Sequence, residues 1–459
     1  MKKHSLPWQT PFFFNTRKCI PILALCSFIV LFPGHQAGSA AESHTLTIDM
    51  ALDLASENNP IISVLSEQVK QSEEQLRQAR ASLYPTVGTE LIYQKSGEEP
   101  LLPVYSAEGS YLGNARNGFK DTYQAAINFT YLLYSGGAVK NNVHARELAL
   151  DSVHARADRS RQSVDNGVYS AYYDLQRAKA RQEVAEEALS LAREHMREVT
   201  LFHENGIVAK NEVLRVQIEV SNSELERIKA INSVEVAWSA LERAVGVTLR
   251  GNYELPEGIV TMNDLELPEN IQEIAFENRP ELRVLEKSRL SALALSRAAL
   301  GERGPKVVFR GETYVADEKF FPDMQDDWKI TIAATWDLYD GGASRARSRE
   351  ARAAAAELLY RVEDLKKQIG LEISTALLNL RSSGQRVSVA RDQVNSAQED
   401  YRMALRRYRA RVGTNLDVLD SRVALINARN QLVDSLYDVF QSRADLLFAL
   451  GIDSYNVEH

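Results

Sequence analysis

The chain has 459 residues, a formal charge of −8 and 44% hydrophobic residues. An acidic chain is a poor partner for nucleic acid, whose binders present basic patches, so we expect no nucleic-acid partner. Its two cysteines, Cys19 and Cys26, both lie in an N-terminal segment that resembles an export signal. The rest of the chain therefore excludes disulfides, thiolate metal sites and cysteine catalysis.

Residues 1–41 are predicted to be that signal. Basic residues precede the apolar run from Ile20 to Phe32, and the small residues from Gly38 to Ala41 offer a cleavage site. The apolar run is too short for a membrane anchor, because a spanning helix needs about 20 such residues. The sequence thus predicts export into or across the cell envelope.

Helices are predicted over 47–83 and 270–300. Each contains a proline, in Asn58-Asn59-Pro60 and in Asn278-Arg279-Pro280. Proline is favoured in the first turn of a helix, and Asn is favoured at the cap before it. We therefore expect each helix to restart near its proline.

Four segments alternate between apolar and polar residues, at about 85–95, 121–133, 305–315 and 328–338. The clearest are Tyr123 to Leu133, whose odd-numbered residues are apolar, and Trp328 to Leu338, whose even-numbered residues are apolar. Segments of about ten such residues are typical of outer-membrane barrel strands, and the polar connections 96–120 and 316–327 are typical of external loops. The alternative is a soluble sheet with one wet face.

Four strands cannot close a barrel, because the smallest known barrels have eight, and an open strand edge is not tolerated in lipid. If the segments cross a membrane, several copies of the chain must share one barrel.

Two long helical hairpins are predicted at 137–247 and 342–450. No proline interrupts 137–203 or 342–411, so each first helix would be a rod of roughly 100 Å. The second rod carries two heptad seams, which predict a coiled coil. Their members are Ile373, Leu380, Val387, Val394, Tyr401 and Tyr408, and Ile369, Ala376, Ser383, Ala390, Ala397 and Ala404.

The chain repeats itself. Leu133-Tyr134-Ser135-Gly136-Gly137 matches Leu338-Tyr339-Asp340-Gly341-Gly342, and each stands between the second strand and the rod. Such a duplication fixes the architecture. We expect a first repeat at 42–247, a linker at 248–269, a second repeat at 270–452 and a short tail at 453–459.

These landmarks resemble the TolC family of outer-membrane efflux and secretion ducts. The match covers nearly all of the chain after the signal, and its most specific segments are Tyr408 to Leu425 and Phe202 to Arg215, which resemble the family's two hairpin turns. The resemblance implies a mainly α-helical fold with a helical barrel and four transmembrane strands per protomer. Three protomers would share a twelve-stranded β-barrel.

The resemblance also assigns a periplasmic gate. Asp417 and Asp420 stand where the family has rings of aspartates, and Tyr408 stands at its gate tyrosine. The alternatives are that the two acids merely favour the start of a helix and that Tyr408 merely completes a heptad seam. Where the family has a turn glycine this chain has Arg411, and Gly413 replaces a basic residue, so Arg409 or Arg411 is expected to supply the gate ion pair.

Adaptor docking is implied for the hairpin turns, although small and apolar residues also suit any tight turn. The positions are Gly206, Ile207, Val208, Glu212, Val412, Gly413 and Thr414.

The sequence lacks the motifs of an enzyme. We find no phosphate loop, nucleophile elbow or metal-hydrolase motif, and the histidines lack the i, i+4 spacing of metal ligands. His144, His154, His195 and His203 are expected to be solvated on helix faces. The sequence thus predicts no enzyme, no cofactor and no metal site.

The function that follows is a passive homotrimeric duct in the outer membrane. It would take cargo from an inner-membrane pump through a periplasmic adaptor, with outer-membrane lipid around its strands. The alternative is a non-conducting coiled-coil adaptor or envelope scaffold, which should lack lipid-facing strands.

Overall fold

The computed structural model describes residues 44–256, 270–320 and 325–452. The predicted signal 1–41, the tail 453–459 and residues 257–269 of the predicted linker lie outside these ranges.

Helices and strands follow in an order that appears twice. A broken helix leads into two sheet strands, a very long helix and a shorter returning helix. In chain order the elements are β1 (His44–Thr45), α1 (Ile48–Asn58), α2 (Pro60–Ala81), β2 (Thr86–Lys95), β3 (Leu101–Tyr105), β4 (Tyr111–Arg116), β5 (Asp121–Ser135), α3 (Ala138–Glu204), α4 (Lys210–Val245), β6 (Tyr253–Glu254), α5 (Ile271–Asn278), α6 (Pro280–Gly301), β7 (Lys306–Asp317), β8 (Gln325–Thr335), α7 (Ala343–Arg409) and α8 (Asn415–Leu450).

The two helix breaks fall at the prolines, as predicted. Asn59 caps α2 by accepting a hydrogen bond from the Ile61 amide at 2.8 Å, and its side-chain amide donates to the Ala244 carbonyl at 2.6 Å. In the second half the buried Arg279 takes this place and donates to the Ala449 carbonyl at 3.2 Å. Each helix break is thereby hydrogen-bonded to the end of the hairpin in the same half of the chain.

Strands β2, β5, β7 and β8 form one antiparallel sheet in that order. Directly paired residues lie on the same side of a sheet, so the register tests the predicted faces. One row of pairs runs through Val87, Phe129, Gly311 and Ile330, and the next runs through Thr89, Ile127, Thr313 and Trp328. The predicted apolar faces of the four strands therefore coincide.

This apolar face is uncovered in the described chain. Leu91 is 82% exposed, Trp328 is 71% exposed and Ile332 is 67% exposed. A soluble sheet with one wet face would bury its other face against a second layer. Among the residues described, no second layer covers this face.

Two details of the strands differ from the sequence prediction. Strand β8 ends at Thr335 rather than at residue 338, and the Trp336 indole beyond it donates to the Arg303 carbonyl at 2.8 Å. A bulge between Leu132 and Tyr134 puts Tyr134, not Leu133, opposite Val307. Such a bulge moves later side chains to the other face, which alternation alone cannot reveal.

The connection 96–120, expected to be an external loop, contains a two-stranded sheet of its own. Strands β3 and β4 pair antiparallel around a turn at Gly109, and the rings of Tyr105 and Tyr111 meet edge-on at 5.8 Å. Glycine supplies the left-handed backbone that such turns need, and the flanking aliphatic and aromatic residues favour strands.

The rods α3 and α7 have 67 residues each, which corresponds to about 100 Å. Every member of the two predicted heptad seams of α7 is buried or half-buried, and Ile369, Ile373 and Ser383 are at most 3% exposed. Between the members most side chains are exposed. The coiled-coil prediction is confirmed in this respect.

The halves are joined along their helices. Helix α6 lies against both α3 and α7, and α8 lies against both α7 and α3. The aromatic rings of Tyr173 on α3 and Phe440 on α8 stack at 5.2 Å within the largest apolar core. Leu249 and Leu255, from the predicted linker, are buried in that same core.

In the parts of the chain described, no helix is both long and apolar enough to cross a membrane.

The two Gly-Gly junctions predict different sensitivities to substitution. Gly136 and Gly341 both have positive φ, +62° and +67°, but a Cβ on Gly136 would lie 2.1 Å from the Gly301 carbonyl oxygen, whereas Gly341 faces open space. Gly341→Ala should cost about 1–2 kcal/mol of backbone strain. Gly136→Ala should cost distinctly more, because backbone must also move. Thermal unfolding of the purified proteins, followed by circular dichroism, measures the difference, and equal midpoints would contradict this account.

Candidate functional site

The two hairpin tips turn in the same way at equivalent positions. After α3 the chain reverses at Gly206, with φ of 72°, and the Ile207 amide donates to the Phe202 carbonyl at 2.8 Å. After α7 it reverses at Arg411, with φ of 64°, and the Val412 amide donates to the Arg407 carbonyl at 2.9 Å. Helices commonly end in this left-handed conformation, usually at glycine.

Arg411 is the one residue other than glycine with a positive φ in the described ranges. The left-handed region is strained for a residue with a Cβ. Gly413 is needed for a different reason, since a Cβ there would lie 3.0 Å from the Arg407 Cβ and 3.2 Å from its carbonyl carbon. Gly413 thus packs closely against α7, and the left-handed position of the second turn is occupied by Arg411.

The residues predicted for docking form the ends of both hairpins. Gly206, Val412 and Thr414 are exposed, and Val412 is the most open at 69%. Ile207 is 38% exposed, whereas Val208, Glu212 and Gly413 are half-buried. The tips therefore present a modest exposed apolar surface that includes Ile207 and Val412.

Asp417 and Asp420 lie exposed on the first turns of α8. Asp417 forms a capping box with Thr414: the Thr414 amide donates to the carboxylate at 3.0 Å, and the Asp417 amide donates to the Thr414 hydroxyl at 3.1 Å. These hydrogen bonds lower the pKa of Asp417. The structure is therefore compatible with both interpretations of Asp417, as a gate carboxylate and as an acid favoured at a helix start. Capping engages one carboxylate oxygen and leaves the group exposed.

Tyr408 is buried at the junction of the two hairpins. Its ring packs against the rings of His195 and Phe202 on α3, with centroids 5.4 and 5.8 Å away, and against Val418 on α8. The Tyr408 hydroxyl has no hydrogen-bond partner in the described chain, and burial raises its pKa to about 12. The structure thus brings Tyr408 beside the turn of α8 that carries Asp417.

His195 is buried rather than solvated, which corrects the sequence prediction. It is 2% exposed, and its Nε2 lies 2.7 Å from the side-chain oxygen of Asn415, the first residue of α8. His203 is half-buried with Nδ1 3.0 Å from the Val208 carbonyl, whereas His144 and His154 are exposed as predicted. His195 lies on a face of α3 that contacts α8, and a contact between two such distant segments cannot be predicted from the local sequence.

A row of ion pairs connects α3 and α4 to α7 and α8 above this junction. Arg409 pairs with Glu198 at 2.8 Å, and the buried Arg422 pairs with Glu219 and also donates to the Ala188 carbonyl at 3.3 Å. Further pairs are Glu187 with Arg429, Arg181 with Asp434 and Arg177 with Asp438. This row of ion pairs was not predicted from the sequence, although Arg422 and Arg429 are one heptad apart on α8.

Comparison with known proteins identifies related chains. The family model described as outer membrane efflux protein matches residues 51–247 and 271–452. The probable efflux pump outer membrane protein TtgC of Pseudomonas putida is 22% identical over 414 residues, which are 89% of this chain and 83% of TtgC. The alkaline protease secretion protein AprF of Pseudomonas aeruginosa is 22% identical over 261 residues, about half of each chain.

Solved structures share the fold. The open state of the Neisseria gonorrhoeae MtrE outer membrane channel superposes with a TM-score of 0.75 at 18% identity, covering 93% of this chain and 98% of that one. The outer membrane protein VceC of Vibrio cholerae gives a TM-score of 0.74 at 20% identity, covering 88% and 96%. The resemblance inferred from the sequence motifs is thereby confirmed.

The strained turn at Arg411 predicts a stabilising substitution. Arg411→Gly should stabilise the second tip by about 1 kcal/mol, because glycine adopts this backbone without a Cβ penalty. Amide hydrogen exchange of residues 410–413 should slow about fivefold. Arg411→Ala is the matched control, since it removes the same charge but keeps the Cβ and should not slow exchange. Equal slowing in both variants would assign the effect to charge instead.

Proposed function

The chain belongs to the outer membrane efflux protein family, and from this premise we propose that three copies form one channel through the outer membrane. The division predicted from the sequence is part of the proposal: signal 1–41, first repeat 42–247, linker 248–269 and second repeat 270–452. The single observation that carries the proposal is the four-stranded sheet with an uncovered apolar face.

The sheet requires partners on both edges. Within the described ranges, strands β2 and β8 each pair on one side only, and unpaired backbone groups cost several kcal/mol each in lipid. Pairing β8 of one copy with β2 of the next would satisfy both edges and close a barrel. Three copies give twelve strands, which is above the minimum of eight.

The helices support the same arrangement. In addition to its buried seam, α7 carries a second set of apolar side chains at heptad spacing, and α4 does likewise. Leu371, Leu378, Val389 and Met403 on α7 are exposed, and so are Leu214, Ile218, Leu225 and Ile228 on α4. In both helices the exposed set lies on the side away from the buried set, so each helix offers a seam to a neighbouring copy.

The partners follow from the relatives. TtgC is named as part of an efflux pump and AprF as a secretion protein. We propose that this chain likewise receives cargo from an inner-membrane pump, through a periplasmic adaptor that contacts Ile207 and Val412 at the tips. The chain would be a passive duct and not an enzyme, with the energy supplied by the pump.

The tips would form the periplasmic gate. In a ring of three copies, Asp417 and Asp420 would gather at the narrow end and attract cations, and Tyr408 would hold α8 against the first hairpin. Arg409 supplies the ion pair expected at the gate, because it bonds to Glu198 of the first hairpin. Arg411, by contrast, contributes its backbone to the left-handed turn.

Assembly is tested by a charge in the exposed seam. Leu378→Glu should abolish the trimer, because a carboxylate would be buried against the next copy without a partner. Gln398→Glu is the control, since Gln398 is exposed on α7 outside both seams. Native mass spectrometry in detergent measures the state, and an intact Leu378→Glu trimer would reject this interface.

The gate is tested by single-channel recording. Asp417→Ala and Asp420→Ala should each weaken divalent-cation block at least tenfold, because each removes three charges from the narrow end, and about 1.4 kcal/mol corresponds to tenfold. Glu363→Ala, an exposed acid of α7 far from the tip and outside both seams, should leave the block unchanged. Unchanged block in both gate variants would remove these aspartates from the gate. A wild-type protein that never conducts would favour the envelope-scaffold alternative.

A further inference from the structure

The junction between the hairpin tips contains an unusual set of buried polar groups. His195, Asn415 and Tyr408 are 2%, 3% and 5% exposed. Each has a buried polar atom without a hydrogen-bond partner in the described chain, namely His195 Nδ1, Asn415 Nδ2 and the Tyr408 hydroxyl. Buried polar atoms are normally paired, so this cluster calls for a reason other than stability.

The hydrogen bond within the cluster fixes the form of the histidine. The Asn415 side-chain oxygen can only accept, so His195 Nε2 must carry the hydrogen of the 2.7 Å bond. In neutral histidine the other nitrogen, Nδ1, then has no hydrogen. The contact therefore exists with a neutral ring and needs no acceptor at Nδ1.

Protonation would add a hydrogen at Nδ1, where the described chain offers no acceptor. It would also place a cation in a buried site, and burial is the main cause that lowers the pKa of His195. The charged and titratable groups around the ring are Glu198 on α3, Glu212 and Glu219 on α4, Tyr401, Tyr408 and Arg409 on α7, and Arg422 on α8. Glu198 and Glu219 are each paired with an arginine, and Glu198 Oε2 is buried without a partner in the described chain. Glu198 and the Asn415 bond favour the charged ring, but burial outweighs them and the pKa of His195 is lowered.

We propose that neutral His195 is a positioning residue that holds the first turn of α8 against the first hairpin, and that its protonation releases this turn. The turn carries Asp417 and Asp420, so release would let the tips separate in mildly acid conditions. This inference rests on the proposed function for its consequence at the gate, but the contact itself is a property of one protomer.

The direction and the size of the pH effect on the contact between His195 and Asn415 follow from thermodynamic linkage. The released ring has the ordinary histidine pKa of about 6.5, and the held ring has a lower pKa, so the released form binds the proton more readily. The contact is therefore fully present above about pH 7 and weakens as the pH falls through 6.5. Between pH 7.5 and 5.5 the equilibrium should shift towards release, by at most about tenfold in each protomer.

Spin-label distances measure the contact independently of conduction. Labels at Glu204→Cys and Leu416→Cys lie on exposed ends of the two hairpins, and the two natural cysteines fall in the predicted signal. Trimers diluted with unlabelled protomers report the distance within one protomer. We expect a single short distance at pH 7.5 and a growing population of longer distances at pH 5.5.

Four substitutions separate titration from packing. His195→Gln keeps a donor for Asn415 without titrating, so the short distance should persist at both pH values. His195→Ala should give longer distances at both. Asn415→Asp places a carboxylate beside the ring, which favours the charged form, and should move the transition to lower pH. His203→Gln, a histidine whose bond stays within its own hairpin, should leave the pH response unchanged.

The outcomes distinguish the two proposals. Wild-type distances that do not change between pH 7.5 and 5.5, or a response that survives in His195→Gln, would overturn the role of His195 even if the protein conducts. A pH-dependent distance that is lost in His195→Gln, in a protein that never conducts, would sustain the role of His195 and overturn the channel.

Discussion

The constraint on which this structure depends is the open sheet. Four strands have hydrogen-bonded partners on every side except the outer edges of β2 and β8, and their apolar face is uncovered. In water this face would cost free energy in proportion to its area, and in lipid the open edges would cost several kcal/mol for each unpaired group. Lipid around the face and a further copy at each edge remove both costs together. The outer-membrane location and the proposed assembly of several copies thus answer the same two features of the sheet, its uncovered face and its open edges.

Duplication supplies the rest of the architecture, but the copies are not equivalent. Asn59 and Arg279 occupy the same place, and both bind a carbonyl near the end of the hairpin, Ala244 and Ala449. The arginine reaches further and also pairs with Glu372 at 2.5 Å. At the tips, Gly206 and Arg411 adopt the same left-handed backbone with different strain. The second hairpin is the one that carries the strained turn and the proposed gate aspartates.

The sequence predicted what depends on periodicity and missed what depends on partners. The heptads of α7, the alternation of the strands and the breaks at Pro60 and Pro280 appear where expected, because each is a local pattern. The bulge before Tyr134 and the hairpin of β3 and β4 depend on register and turn geometry, which local patterns leave open. His195 was misjudged because its burial comes from α8, more than two hundred residues away in the chain.

The kinds of contact along the rods determine where the protomer can bend. Within each hairpin the seams are apolar, as at Val199 and Val216, and burying such side chains stabilises by about 1.5–3 kcal/mol each. Between the hairpins the contact is apolar near Tyr173 and Phe440 and again at the tips around Tyr408. Between these two places it includes partly exposed ion pairs, which are worth about 0–1 kcal/mol each. Each hairpin should therefore move as a stiff unit about the aromatic contact. From Tyr173 to the end of α3 the rod is about 45 Å long, so a small rotation at that contact becomes a large displacement of Asp417. Such a lever needs a restraint at its far end, and the buried bond between His195 and Asn415 lies at that end.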